Sequence, residues 1–527
     1  MDEAVDTPCK GPGPASVTHT VLRPRPESLL SPLPEPFDRL RLDGAFIYTA
    51  DPERPVLTDA SLLVTGSTIA AVGTSAEVDA AEAALGPAVG RTRRIDASDR
   101  MVLPGLVDDH WHEAGVLRAT GGLTVDPDDA GTVPGDFAHG MNVEAASVLF
   151  NSFNGLPAAL PPEVARICAL QAFVTQLRSG TTCVADFGSL NTPEAMAAAV
   201  HDTGIRAVIS TYAVDGECWP GEKGFHRTGD TDATLAAIER MLTTYADDPS
   251  GRLRAMPSVL FGASASDELL LGAAELAERF DTPWACHVAV AANESAASVR
   301  HFGVRPIERL RRLGVLSSRL VSAHTAFADD DEYGWLLDAG VHVTHSPQRY
   351  GSTGDGVIST TRQILRFLAD GARISLSSDG FDLPAGAMPE SMRMAWLAYG
   401  EAACDPSVIT PMRALSMASR AGAEALRWAD RIGMLRPGMK ADFCTVPIDD
   451  FRYVGTNRPL QSFLIMGGSS DIDTVVVDGR ILVEDRAATF VDEKALNAAF
   501  LEAAVGFAGA IGADVRPART KGTACAS

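Results

Sequence analysis

The stretch PGLVDDHWHE, Pro104 to Glu113, decides the reading: an apolar run ends in two acids and then two histidines one residue apart. In an extended strand, residues two apart point to the same face, so His110 and His112 project together. Two imidazoles on one side of a strand end make half of a metal site if the rest of the chain supplies the other half. Taken alone, His-x-His describes a solvated strand end equally well.

Outward from this stretch the pattern is apolar runs separated by helical segments. The runs are MVLPGLVDD, TTCVADFG, IRAVISTYA, LRAMPSVLFG, TPWACHVAV, RLVSAHTAF, VHVTHSP and RISLSSDG, with amphipathic stretches such as ELLLGAAELAERF and IERLRRLG among the later ones. Strands alternating with helices predict an α/β fold, a parallel (β/α)8 TIM barrel over residues 104–428. Short strands with turn residues fill 37–103 (GAFIYTA, ASLLVTG, TIAAVG, TRRIDAS) and return over 429–492 (IDTVVVDGRILVED). They are expected to join as one small composite β-sandwich domain. Residues 1–36 are proline-rich and read as a flexible arm, and 493–527 as a helix and tail.

With 527 residues, more than one domain is expected. A net charge of −23 disfavours nucleic acid and anionic lipid as partners, leaving a small molecule as the expected substrate. The eight cysteines contain no CxxC pair, which fits reduced thiols in a cytoplasmic protein. No run approaches the ~18 apolar residues of a membrane span.

Barrel active sites lie where strands end at their C-terminal side, so polar residues closing apolar runs are the candidates. Besides His110 and His112 these are His287 in PWACHVAV, His324 in LVSAHTAF and Asp379 in ISLSSDGF. Neutral imidazoles with a carboxylate suit one divalent ion, zinc first, with iron or manganese as alternatives. Such an ion lowers the pKa of water toward ~7 and so points to hydrolysis.

The segments PGLVDDHWH, SGTTCVADFG, HVAVAANE, VSAHTAFADDDE, THSP, SDG and TPMRALSMASRAGAEALRWADRIGMLRPGMKADF together resemble the amidohydrolase superfamily. The resemblance is to its branch of deaminases and chlorohydrolases, the branch of atrazine chlorohydrolase and of cytosine and guanine deaminases, and it spans residues 40 to 490. It implies a mononuclear site with His110, His112, His287 and Asp379 as ligands. Asp379 would also take a proton from the attacking water, and His324 would orient or polarise the substrate. Homodimers or larger homo-oligomers are common in the family.

The sequence departs from the family at three places. Strand five usually carries His-x-x-Glu, whereas Val290 stands where that acid belongs; Glu294, four residues on, is the candidate to replace it. After strand seven the usual HxPxSN gives way to HSPQRYGSTGDG, which makes Gln348 and Arg349 candidate substrate contacts, Arg349 for an anionic group. Trp111 is a third candidate contact. The strand-four stretch PSVLFGASAS lacks the family's histidine. Asp108 is expected to serve structure, Asp109 and Glu113 to be solvated or to support ligands, and His345 to be structural or supporting. His139, His201, His226 and His301 are expected on the surface or in loops, and residues 113–162 over the pocket.

The first functional reading is a metal-dependent hydrolase of a non-peptide C–N bond, in a cyclic amidine, ring amide or exocyclic amine. Two others remain open. One is hydrolytic dehalogenation of an aromatic ring, which needs no protonated leaving group; the other is a pseudoenzyme that keeps the barrel.

Overall fold

The computed structural model describes residues 26–115, 141–152, 160–189, 191–380 and 387–511. Residues 1–25 of the proline-rich arm, His139, most of the segment expected over the pocket and the tail beyond residue 511 lie outside the described residues.

Four strands, β1 (Leu106–Trp111), β2 (Thr181–Asp186), β3 (Arg206–Ile209) and β4 (Leu253–Ala255), form one parallel sheet in the order β4-β3-β2-β1. Five more, β5 (Ser258–Phe261), β6 (Trp284–Val288), β7 (Leu320–His324), β8 (His342–His345) and β9 (Arg373–Leu376), form a second parallel sheet in chain order. Every residue of β1, β2, β6 and β7 is buried, as expected of parallel strands covered on both faces. The run at 253–262, read from sequence as one strand, is divided at Met256 and Pro257, where proline lacks the N–H that a ladder needs. The two sheets meet on both sides. Met256 N donates to Ile209 O at 3.0 Å, Ala213 bridges Val259 in parallel, and Asp379 N donates to His110 O at 3.0 Å.

Helices between the strands include α1 (Val143–Ser152), α2 (Pro162–Arg178), α3 (Asp267–Arg279), α4 (Glu294–Phe302) and α5 (Pro347–Thr353). Helix α3 illustrates the local logic. The Ser266 side chain caps it by accepting from Leu269 N at 3.2 Å, acids fill its first turn and Arg279 its last. Its buried residues Leu269, Leu270, Ala273, Leu276 and Ala277 recur at helical spacing.

The terminal segments build one nine-stranded mixed sheet. Phe443–Pro447 pairs antiparallel with Arg100–Pro104, Cys444 opposite Leu103, and so joins the C-terminal segment to the N-terminal one. Strand Arg39–Tyr48 lies inside the sheet, between Val56–Thr65 and Arg100–Pro104. A helix, Ser75–Ala84, interrupts this strand-rich segment, and the Thr74/Glu77 capping box that starts it is visible in the sequence TSAE. The sheet is fastened to β3 by a buried ion network: Arg206 contacts Asp442 at 2.5 Å and Asp478 at 3.0 Å. Helix α6 (Glu493–Ile511) packs against α2. Among the described residues no helix is long and apolar enough to cross a membrane.

Candidate metal centre and active site

Alternation along β1 sends His110 and His112 to one side. Their Nε2 atoms are 3.2 Å apart, and His287 Nε2 at the end of β6 lies 3.0 Å from the first and 3.2 Å from the second. The other ring nitrogens set the tautomers. His112 Nδ1 faces Gly188 O at 2.9 Å and His287 Nδ1 faces Leu260 O at 2.6 Å, so both rings carry their proton on Nδ1. Bare Nε2 lone pairs are therefore held against one another, an arrangement that repels itself unless a cation lies between. Two nitrogens 2.0–2.1 Å from a tetrahedral ion would be about 3.3 Å apart, close to the spacing observed. The donor set fits a divalent metal.

Asp379 completes the cluster from the end of β9. Its Oδ1 is 3.8 Å from Nε2 of both His110 and His112, and its Oδ2 is 3.6 Å from His324 Nε2 and 3.2 Å from Arg349 Nε. His110, His324 and Asp379 form a second trio able to hold an ion. Several backbones here are in the left-handed region: Asp379 at φ 67°, His324 at 70° and Ala289 at 51°. Such conformations persist in side-chain-bearing residues only where the surroundings enforce them, and they cluster at functional sites. Gly380, at φ +66°, lets the chain pass close to Trp111; a Cβ there would overlap Cδ1 of the indole and lie 3.0 Å from His112 O.

The two acids before the histidines have structural partners. Asp108 accepts from Ser378 N at 3.0 Å and from the Ser378 hydroxyl. Asp109 accepts from Thr344 Oγ1 at 2.7 Å and Ser375 Oγ at 2.5 Å. They stitch β1 to β8 and to the segment that carries Asp379. Burial pushes their carboxyls up, to about 8 for Asp108 and about 7 for Asp109. Glu113, also buried, accepts from Gly115 N at 2.9 Å and Asn191 Nδ2 at 2.6 Å. Of the two expectations for Asp109 and Glu113, solvated or supporting, the first is corrected, since both are buried and bonded.

The remaining predicted residues fall as follows. Trp111 points to the opposite side of β1 from the two histidines and packs on Phe173 of α2, centroids 5.8 Å apart, so it braces the strand instead of lining the cluster. Glu294 is buried at the start of α4, and its carboxylate accepts from Ala289 N at 2.9 Å, Val290 N at 2.6 Å and Ala291 N at 3.4 Å. These bonds make Glu294 the clasp of the β6–α4 turn; burial nevertheless raises its carboxyl to about 7. Val290 sits in an apolar cluster with Val143, Phe150 and Phe261. Arg349 is buried on α5 and paired through Nη1 with Asp355 as well as with Asp379. Gln348 Oε1 is buried with no hydrogen-bond partner among the described residues. His345 is bonded to Tyr399 Oη at 2.8 Å, and burial lowers its imidazole to about 3. His301, expected at the surface, is buried between Glu144 and Gly224 O.

Sequence reasoning placed Tyr350 beside Gln348 and Arg349 in the departing stretch but gave it no role; its Oη lies 2.7 Å from His324 Nδ1. Burial, with Arg349 nearby, holds the His324 imidazole well below its usual range and therefore neutral. The signal was present: Tyr350 falls in the stretch that departs from the HxPxSN pattern.

Known proteins resemble the chain in sequence and in fold. The chain is 28% identical over 406 residues to a 5-methylthioadenosine/S-adenosylhomocysteine deaminase of Acetivibrio thermocellus, covering 76% of this chain and 85% of that protein. It is 25% identical over 454 residues to a 5'-deoxyadenosine deaminase of Methanosarcina mazei, covering 86% and 94%. Its fold is similar to a zinc-bound adenosine deaminase of Xanthomonas campestris, with TM-score 0.73, 23% identity, and 90% and 100% of the two chains covered. A zinc complex of atrazine chlorohydrolase from Arthrobacter aurescens TC1 gives TM-score 0.72 at 24% identity, covering 88% and 100%. The family model described as Amidohydrolase family matches residues 101–482, the part that carries His110, His112, His287, His324 and Asp379, and the chain belongs to that family.

Proposed function

We propose that the chain is a metal-dependent hydrolase of a non-peptide C–N bond in a small heterocyclic molecule. The observation that carries this reading is the trio of imidazole Nε2 atoms 3.0–3.2 Å apart beside the Asp379 carboxylate. In this reading His110, His112, His287 and Asp379 hold one divalent ion, zinc first, iron or manganese next. When bound, the ion supplies a positive centre that makes water a nucleophile near neutral pH. The water oxygen bonds to an sp2 carbon of the substrate, and Asp379 takes its proton. The C–N bond then breaks, and the amine leaves with the proton returned from Asp379. His324 donates from Nε2 to the charge that develops on the substrate. Arg349 keeps the carboxylate turned toward the reaction, and Glu294 acts by holding the β6–α4 turn.

The same reading carries the finer architecture. The two parallel sheets close as one (β/α)8 barrel over residues 104–428, with 37–103 and 429–492 as a composite β-sandwich beside it. Support comes from the bonds that join the sheets on both sides, above all Asp379 N to His110 O.

Adenine nucleosides are the first substrates to test, because the relatives named above are deaminases of that class. Val290 favours a second reading, in which the leaving group is a halide that needs no proton. The test is incubation with 5'-deoxyadenosine and with 6-chloropurine riboside, scoring ammonia and chloride. Ammonia release, falling at least about 100-fold in Asp379→Asn, is expected. Chloride without ammonia would move the assignment to dehalogenation, and neither product from the metal-loaded protein would count against hydrolysis of this class.

A further inference from the structure

The two residues that follow Gln348 on α5 both reach the cluster: Arg349 faces Asp379 and Tyr350 faces His324. They lie in the stretch where the chain departs from its family's pattern. The Tyr350–His324 contact has a consequence for proton placement, because hydrogen-bond accounting settles which partner donates.

Tyr350 is buried, and its Oη has one hydrogen-bond partner among the described residues, His324 Nδ1 at 2.7 Å. If the imidazole carried its proton on Nδ1 and donated to Oη, the phenolic hydrogen, buried, would have no acceptor among those residues. If the phenol donates, Nδ1 accepts and the ring proton on Nε2 faces the Asp379 carboxylate, where a bare lone pair would face it unfavourably. His324 Nε2 then carries the ring proton and points at Asp379 Oδ2, 3.6 Å away, a gap wide enough for the contact to pass to a substrate atom. The two rings are packed at 66° with centroids 5.5 Å apart, and the His345 ring lies 5.1 Å from Tyr350. His324 is thereby set opposite to His112 and His287, whose Nδ1 protons face backbone carbonyls and whose Nε2 lone pairs face inward.

We propose that Tyr350 is a positioning residue that locks His324 in its Nε2–H tautomer, so that His324 donates a hydrogen bond to the reacting group and cannot accept a proton from it. What His324 donates to rests on the hydrolase reading; the tautomer itself does not. The two are separable by experiment. Zinc-loaded protein labelled with nitrogen-15 at histidine is examined by two-bond proton–nitrogen correlation, with His324→Asn identifying the His324 signals. The expected spectrum has protonated Nε2 and bare, hydrogen-bonded Nδ1 at His324, the reverse of His112 and His287. In Tyr350→Phe the His324 nitrogen shifts should move toward a mixture of tautomers while metal content and melting temperature stay those of the parent. A parent spectrum with the proton on Nδ1 would overturn the proposal, whether or not Tyr350→Phe folds. So would an unchanged His324 spectrum in a folded Tyr350→Phe. Turnover enters neither outcome; on any substrate that is turned over, Tyr350→Phe is expected to lower kcat at least tenfold with KM within about threefold, the pattern of a contact made mainly in the transition state.

Discussion

Arg349 Nε stands 3.2 Å from Asp379 Oδ2, and the same guanidinium is paired with Asp355, so one buried cation joins the residue that closes the metal cluster to a second buried carboxylate. Removing one partner of such a set leaves uncompensated charge, which costs more than the pair itself contributes.

Arg349→Met is therefore expected to destabilise the protein by about 3–5 kcal/mol in urea unfolding. Adding Asp355→Asn to that variant should recover a substantial part of the loss, because the stranded carboxylate is then neutral. A single variant within about 1 kcal/mol of the parent would mean that the buried pair contributes little.

Gly380 offers a second test, since its backbone angle and its contact with Trp111 both require the missing Cβ. Gly380→Ala is expected to cost about 1–2 kcal/mol for the left-handed conformation alone. It should also weaken metal binding by displacing Asp379, and combining it with Trp111→Leu should restore part of the affinity. Chelator titration of the purified variants measures this; unchanged affinity in Gly380→Ala would detach Asp379 from the metal.

The pH dependence of stability tests the burial of Glu294. Its carboxyl ionises at about 7 in the folded protein against 4.5 as the ordinary value, with burial the first cause and Glu332 acting in the same direction. The folded state thus binds the proton more tightly than the unfolded state. The resulting stabilisation is fully present below pH 4.5 and is lost as pH rises through about 7. In Glu294→Gln the decline between pH 5 and 8 should be shallower by an amount on the order of 3 kcal/mol. Identical slopes in parent and variant would contradict a raised carboxyl.

The legible parts of the molecule were those set by neighbours in sequence. His110 and His112 share a face because strands alternate, and the same rule turns Trp111 away from them, toward Phe173. The capping box at Thr74 and Glu77 is equally local, yet it went unread and the segment was expected to hold strands alone. Contacts made by chain return were not legible. Asp109 meets Thr344 and Ser375 across more than 200 residues of sequence, and nothing near Asp109 announces two hydroxyl partners. Glu294 was singled out by its place four residues after Val290, yet its partners are the amides of a tight turn, fixed by dihedral angles that residue type does not reveal. Arg349 was expected to meet a substrate anion; the anions that the structure sets beside it are Asp355 and Asp379, partners that residue type alone does not reveal.

The most direct test of the account is the metal content of the purified protein beside that of His110→Ala. The account predicts about one divalent ion per chain in the parent and less than about a tenth of that in the variant, with circular dichroism unchanged. A folded parent that holds no metal and takes up none on addition would contradict it.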